Sequence, residues 1–560
     1  MKPEQLVLTI RLAATILLSA LAACALPVRA ETVRGAPAPA QAAVEQWGVF
    51  ELTLKGPADG NPFTEVELSA RFTQGERAIT ATGFYDGEGV YKVRFMPDVT
   101  GEWRYVTSSN RQELADKTGA FTATPPTKGN HGPVRVAHTF HFAYADGTPF
   151  RQVGTTCYTW TYQSDAMEEQ TLRTLAKSPF NKVRFLVFPA YDEGEGHVPP
   201  RYPFQGTPPK QWDFARFNPD FFRHFEQRVA QLRDLGIEAD IILFHPYDRG
   251  QWGFDLMPAE ADERYVRYVV ARLAAYRNVW WSLANEFDHL LATKPTETWA
   301  RYFQIVQSSD PYHRLRSIHQ NNIYYDHNKP WVTHASIQNS AAVQDFGRAM
   351  LLRNVYRKPI VFDEIKYEGD MALRWGNLSA EQMVLQFWMS AVAGTYAGHG
   401  ETYASEGHMH WFSQGGVMKG QSPPRLAFLR KILEEGPAEG LDPLDKWMTL
   451  GTGAQPGEYY LIYFGADPRT EWKFELFHSK LSAGMKFAVD VIDTWNMTIA
   501  PVDGLFELKR SDAYNFADKD GRSVPLPGKP YMAVRVRLVG TTPAVSGEPD
   551  AEPQQPALRV

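Results

Sequence analysis

Between residues 134 and 436, apolar strand-like runs alternate with amphipathic helical stretches, and this order leaves few folds open. The runs fall at residues 152–158, 182–188, 239–244, 279–284, 315–320, 331–338, 360–365 and 395–398. Helical periodicity falls between them, for example at 220–235, 262–276, 296–308 and 380–392. Eight β/α units in one stretch predict a central (β/α)8 TIM barrel with loop insertions. Residues 142–150, turning at Asp146-Gly147, read as a hairpin ahead of the first strand.

The flanks follow a different period. Residues 45–126 alternate in the manner of half-buried strands, with Leu68, Ala70 and Phe72 inward and Ser69 and Arg71 outward, or Tyr91, Val93 and Phe95 inward and Lys92 and Arg94 outward. Turns at Asp59-Gly60, Asp86-Gly87 and Thr100-Gly101 space these runs as in an immunoglobulin-like β-sandwich. The strand period returns over 441–540, predicting a C-terminal β-sandwich and a multidomain chain. Residues 1–30 read as an export signal, with Lys2 and Arg11 ahead of an apolar run. Leu21-Ala22-Ala23-Cys24 resembles a lipobox, which would give a lipid anchor at Cys24, whereas Val28-Arg29-Ala30 resembles an ordinary cleavage site. A periplasmic, outer-membrane-anchored or secreted protein is expected. Residues 31–44 read as a linker and 541–560 as a disordered tail.

Composition narrows the function. The chain of 560 residues has a formal charge of −6 and no basic block, which argues against nucleic acid as a partner. Its two cysteines, Cys24 and Cys157, build neither a disulfide scaffold nor a cysteine-rich metal site, and Cys157 is expected to be a buried thiol. No histidine pair has metal spacing and no glycine-rich fingerprint opens a predicted helix, so no metal and no cofactor are expected. Oligomeric state is not legible.

In a barrel of this kind the reacting groups belong at the carboxyl ends of the strands. The fourth run leads into Asn285-Glu286-Phe287-Asp288 and the seventh into Asp363-Glu364, which places two carboxyl groups across one mouth. Glycoside hydrolysis needs such a pair, one to protonate the departing oxygen and one to attack the anomeric carbon or to activate water there. Strand alternation sends only one of Asp363 and Glu364 into the mouth, and Glu368 lies nearby. Asn285, His245, His334, Glu401 and Trp411 are the candidate substrate contacts, because sugars present hydroxyl edges to polar groups and apolar faces to aromatic rings. Tyr247, Asp248, His319, Gln320 and Gln338 also fall near strand ends.

The Asn-Glu after the fourth strand with a Glu after the seventh resembles clan A of the retaining glycoside hydrolases. Phe142-Ala143-Tyr144-Ala145-Asp146-Gly147-Thr148-Pro149-Phe150 leading to Gly154-Thr155-Thr156-Cys157 resembles apiosidase-like (β/α)8 proteins. The flanking blocks resemble the immunoglobulin-like module of unknown function and the small sandwich that accompany such barrels. The resemblance implies a glycosidase acting on a poly- or oligosaccharide with retention at a β- or other 1,2-trans bond. Glu286 would be the acid/base and Glu364 the nucleophile. A non-catalytic carbohydrate-binding protein, a transglycosylase and an inverting enzyme remain as alternatives at this stage.

Overall fold

The computed structural model describes residues 43–190, 198–338, 346–404, 410–444, 451–477, 480–513 and 515–540. The export signal with its lipobox, nearly all of the linker and the C-terminal tail lie outside them. Ala43 and Val44, counted in the linker above, instead open the strand Ala43–Glu45, which pairs in parallel with Thr118–Thr124.

Eight parallel strands form the centre: β1 (Gly154–Thr156), β2 (Lys182–Leu186), β3 (Glu238–Phe244), β4 (Val279–Ala284), β5 (Arg316–Ser317), β6 (Ala335–Gln338), β7 (Ile360–Glu364) and β8 (Tyr396–His399). Their order, 5-4-3-2-1-8-7-6, leaves one seam between β5 and β6, bridged where Thr333 N–H donates to Arg316 O at 2.9 Å. Helices lie outside: α1 (Asp165–Leu175), α2 (Pro219–Asp234), α3 (Ala259–Leu273), α4 (Thr296–Ser309), α5 (Phe346–Tyr356), α6 (Ala380–Val392) and α7 (Ser422–Glu434). The expected eight units therefore hold for the strands but not for the helices. Between β5 and β6, residues 318–334 are turns and coil, where Lys358 Nζ donates to the carbonyls of His327, Lys329 and Val332 at 2.7, 2.8 and 2.6 Å.

Three layers fill the barrel. At the floor Phe142, Phe150, Trp280, Val361 and Tyr396 pack together. Above them Lys182 Nζ binds Asp240 at 2.8 Å and Asp363 at 2.7 Å, with Arg184 Nε 3.3 Å from Asp240. Tyr158, Leu186 and Ile242 form an apolar patch at the mouth end. The hairpin expected over 142–150 forms: Tyr144 N–H donates to Thr148 O at 2.8 Å and Phe150 N–H to Phe142 O at 3.1 Å across the Asp146-Gly147 turn, and His141–Tyr144 pairs on its other side with Val134–Ala137.

The N-terminal block is a sandwich of a five-stranded and a three-stranded sheet. Its core is aromatic, with Phe50 stacked on Phe121 and Phe72 on Phe95, each pair 4.0 Å between ring centroids. Arg94 does point away from this core, as its alternation requires, but not into solvent. Its guanidinium is buried against the barrel, donating to Glu51 and Glu226 at 2.8 Å each and to Arg272 O at 2.7 Å. Arg272 also binds Glu226 and reaches Asp86 at 2.8 Å. Burial opposes charge on Glu226, but Arg272 and Arg94 outweigh it and hold the carboxyl down at about 2.

In the C-terminal block Gly451–Gln455, Tyr459–Tyr463, Met532–Leu538 and Lys486–Asp493 lie side by side, antiparallel. Both faces are covered. Tyr460, Ile462, Val534 and Val536 face Phe474, Phe487 and Phe506, while Leu461, Tyr463 and Ala533 face α6 of the barrel, with Trp388 and Tyr463 rings 5.4 Å apart.

The Glu226 cluster makes a prediction. Glu226→Gln leaves two buried guanidinium groups without their shared anion and should cost roughly 3–5 kcal/mol at neutral pH. Because the folded-state value is depressed, the native contribution exists above about 4.5 and fades as pH falls toward about 2. Denaturant melts of wild type and variant should therefore converge in acid, and equal midpoints at pH 7 would contradict the assignment.

Candidate active site

Asn285 and Glu286 leave the end of β4 through a tight turn. Glu286 adopts the left-handed conformation, φ 44° and ψ 50°, which starts the 3-10 turn Phe287–Leu290. A non-glycine residue held there carries strain that surrounding contacts must sustain. Phe287 N–H donates to His319 O at 3.0 Å, and His319 N–H to Ala284 O at 3.0 Å, so the turn is tied to the segment after β5. Asn321 Nδ2 donates to Glu286 Oε1 at 2.8 Å, and His289 Nε2 lies 3.8 Å from Oε2.

Across the mouth, both Asp363 and Glu364 turn toward the barrel interior. Simple alternation forbids this, and the ladder shows how it happens: Ser336 faces Val361 while Gln338 faces Glu364, so β7 carries one extra residue against β6. The bulge re-aims the last side chain. Asp363 goes down into the charge layer, where Ser336 Oγ donates to it at 2.5 Å. Burial works against its ionisation, but Lys182 and Arg184 outweigh that and hold its carboxyl well below the usual range. Glu364 stays at the mouth, where its Oε1 accepts from the Tyr158 hydroxyl and from Asn285 Nδ2, the latter at 3.1 Å. Burial first, and the facing Glu286 charge second, push the Glu364 carboxyl up to about 7, while Tyr158, Arg184 and Asn285 pull the other way.

Asn285 thus connects the two sides. The same Nδ2 also donates to the Tyr247 hydroxyl at 2.5 Å, which leaves the Tyr247 proton available to a ligand. Tyr367 approaches Tyr158, with 3.3 Å between the hydroxyl oxygens.

Four of the expected substrate contacts have other tasks. His245 is buried with both nitrogens occupied: Nδ1 accepts from Tyr247 N–H at 3.1 Å and Nε2 meets Phe188 O at 3.2 Å. Burial pushes its imidazole down to about 4, so it is a neutral brace behind Tyr247. His334 precedes β6 rather than sitting within it, and packs against Phe142 and Trp280 in the floor, away from the mouth. Glu401 is fully buried, its oxygens taken by the N–H groups of Lys419 at 2.5 Å and Gly420 at 2.8 Å. Trp411 is 1% exposed and donates Nε1 to Thr155 Oγ1 at 2.9 Å, so its ring belongs to the barrel wall. Cys157 is a buried free thiol.

Sequence reasoning missed Tyr158, Tyr367 and Asn321. Tyr158 ends the first predicted strand, so the rule that found Glu286 could have found it. One trio of potential metal ligands, Asp165, Glu168 and His224, has its atoms within 4.8 Å, but Arg228 Nε already binds Glu168 at 2.5 Å on the outer helices.

A model of the apiosidase-like catalytic domain matches residues 137–449. Two domains of unknown function, DUF5060 and DUF5605, match residues 43–110 and 447–537. Among solved structures, a protein of Bacteroides vulgatus ATCC 8482 classed with the glycoside hydrolases is 42% identical, covering 89% of this chain and 100% of its own, with a TM-score of 0.86. A glycoside hydrolase family 5 protein of the same organism shares the fold at 14% identity and a TM-score of 0.55, covering 73% of this chain and 94% of its own. No curated protein matches the sequence.

The raised Glu364 carboxyl makes a second prediction. Its contribution to stability is present below about 4.5 and is lost as pH rises through about 7, because the folded state prefers the proton. Glu364→Gln should therefore raise the melting temperature relative to wild type at pH 8, with the gap closing by pH 4.5. A gap independent of pH in thermal melts would refute this.

Proposed function

Because the chain belongs to the apiosidase-like catalytic-domain family, we propose that it is a retaining glycoside hydrolase cleaving a β- or other 1,2-trans glycosidic bond of a poly- or oligosaccharide. The observation behind this reading is the Glu286–Glu364 pair at the ends of β4 and β7, with Asn285, the residue before Glu286, donating to Glu364 and Asn321 donating to Glu286. In the first step Glu286 gives its proton to the glycosidic oxygen as the C1–O bond breaks and its electron pair goes to that oxygen. A Glu364 carboxylate oxygen forms the new bond to C1 from the opposite face. In the second step Glu286, now ionised, takes a proton from water, whose oxygen attacks C1 and returns the electron pair to Glu364. The sum is glycoside plus water giving two hydroxyl-terminated sugars.

Three features support the assignment of roles. Tyr158 and Asn285 both donate to Glu364 and work toward the anion that must attack, although burial and the facing Glu286 charge outweigh them and hold the carboxyl at about 7. Arg184 beneath adds a field of the same sign as the two donors, and passage of the shared proton from Glu364 to Glu286 readies both groups for their roles. Glu286 is partly accessible, its side chain 12% exposed, as a group that meets a leaving sugar and then water must be.

On a panel of plant, algal and bacterial glycans, Glu286→Gln should lower kcat/KM on the cleaved substrate by about 10²–10⁴-fold, the usual worth of a positioned acid. Glu364→Gln should abolish turnover. Proton NMR of the first product should show the substrate's own anomeric configuration. Full activity in both variants would overturn the residue assignment, and an inverted first product would overturn retention.

A further inference from the structure

At the end of the barrel opposite the mouth, a cavity lies between the residues that lead into β1, the helices α6 and α7 and the segment 437–441. It has room for about three water-sized groups. Much of its wall is apolar, supplied by Val153, Phe387, Ala391, Leu429 and Leu441. Several polar groups on the wall are satisfied from within the fold. His141 meets the Tyr396 hydroxyl at 3.0 Å and Asp442 Oδ1 at 3.2 Å, and Ser390 Oγ meets Thr395 Oγ1 at 2.9 Å.

Arg151 and Gln152 also line the cavity, 6% and 3% exposed, and they are not satisfied in this way. Arg151 Nε donates to Leu433 O in the last turn of α7 at 3.4 Å, and Nη2 to Pro437 O and Ala438 O at 2.5 and 2.8 Å. Its Nη1 is buried without a partner among the described residues. The nearby carboxylates are committed elsewhere: Asp442 to Arg353 and His141, and the half-exposed Glu434 to Arg430 at 2.7 Å. Burial accordingly pulls the Arg151 guanidinium below its ordinary value. In Gln152 both the amide nitrogen and the amide oxygen are buried without a partner among the described residues. Buried polar groups are nearly always hydrogen-bonded, and a buried cation without a counter-ion is costlier still. A ligand that accepts from Arg151 Nη1 and from Gln152 Nε2 answers both needs.

The guanidinium asks for an anion, and the wall restricts which kind. A phosphate or sulfate would press further charged oxygens against Val153, Phe387 and Leu429, where no donor meets them. An anion with its charge on two oxygens at one end avoids this cost. We propose that the cavity binds a small carboxylate, of the size of formate, acetate or bicarbonate, with its O–C–O group on Arg151 and Gln152. An acetate methyl would lie on the apolar wall, whereas a bicarbonate hydroxyl would donate to Gln152 Oε1. Leu441 belongs to the wall, and Asp442–Pro443 after it pairs with the C-terminal sheet, so a bound carboxylate fastens that block to the barrel. The site is separate from the chemistry at the mouth.

Thermal melts at pH 7 test this, with formate, acetate, bicarbonate or phosphate replacing chloride at fixed ionic strength. The melting temperature of the wild type should rise by a few degrees and level off with at least one carboxylate, and not with phosphate. A response to acetate and formate identifies the alkyl form of the ligand, and a response to bicarbonate alone the hydroxyl form. Gln152→Leu removes the amide and Gln152→Glu supplies a fixed carboxylate in its place, so both should abolish the response. Glu364→Gln should retain it. Isothermal titration with the same anion reads the same losses where a variant changes the melting temperature by itself. No saturable response beyond chloride in the wild type would overturn the proposal, as would an equal response to phosphate. A response that survives both Gln152 variants, or one that Glu364→Gln abolishes, would place the anion elsewhere and overturn it too.

Discussion

Four charged side chains occupy the barrel axis where apolar residues would be cheaper to bury. Lys182 and Arg184 on β2 face Asp240 on β3 and Asp363 on β7, and the set is neutral overall. Burying each ion costs several kcal/mol, and only mutual pairing with good geometry offsets that. The arrangement is therefore intolerant of displacement. Lys182 must reach β3 and β7 together, which holds opposite arcs of the barrel at a fixed distance, and Asp363 must point down for the balance to close. The bulge on β7 follows from this requirement combined with a second one, that the next residue also face the interior. Glu364 stands directly above a lattice that locks the strand carrying it.

The flanking blocks brace the barrel on different sides. The N-terminal sandwich inserts Arg94 between α2 and α3, closing a charge cluster with Glu226 and Arg272. The C-terminal sheet lays an apolar face on α6, the helix that leads into β8. Between β5 and β6 no helix is found among the described residues. There Lys358 gathers three carbonyls and Thr333 bridges the seam, so polar anchoring replaces helix packing. A segment held this way can follow the mouth closely, and this is the stretch that delivers Asn321 to Glu286.

Runs that are buried on both faces are easy to find in a sequence, which is why all eight strands were legible and why Glu286 and Glu364 could be placed at strand ends. What failed was depth and partnership. The sixth apolar run begins at residue 331, which would set His334 inside a strand. The strand begins at Ala335, and His334 falls to the floor. Glu401 and Trp411 follow the last strand and looked available, yet their partners, Lys419, Gly420 and Thr155, come from segments whose approach no local pattern announces. The bulge was equally hidden, since one extra residue changes no composition and no period.

The abundance of aromatic residues, 13% of the chain, divides by chemistry. Phe50, Phe72, Phe95 and Phe121 fill the N-terminal sandwich core, while Tyr158, Tyr247 and Tyr367 gather at the mouth about Glu364, the first and last buried and Tyr247 half-buried. Burial, reinforced by nearby carboxylates, pushes all three phenols well above their ordinary range. They therefore favour the protonated form, in which Tyr158 donates to Glu364 while Tyr247 accepts from Asn285. A phenol that keeps its proton can hold a carboxylate in place but is a poor general base. Proton movement at the mouth then falls to the carboxyl groups, and Tyr158 keeps one of them aligned while it happens.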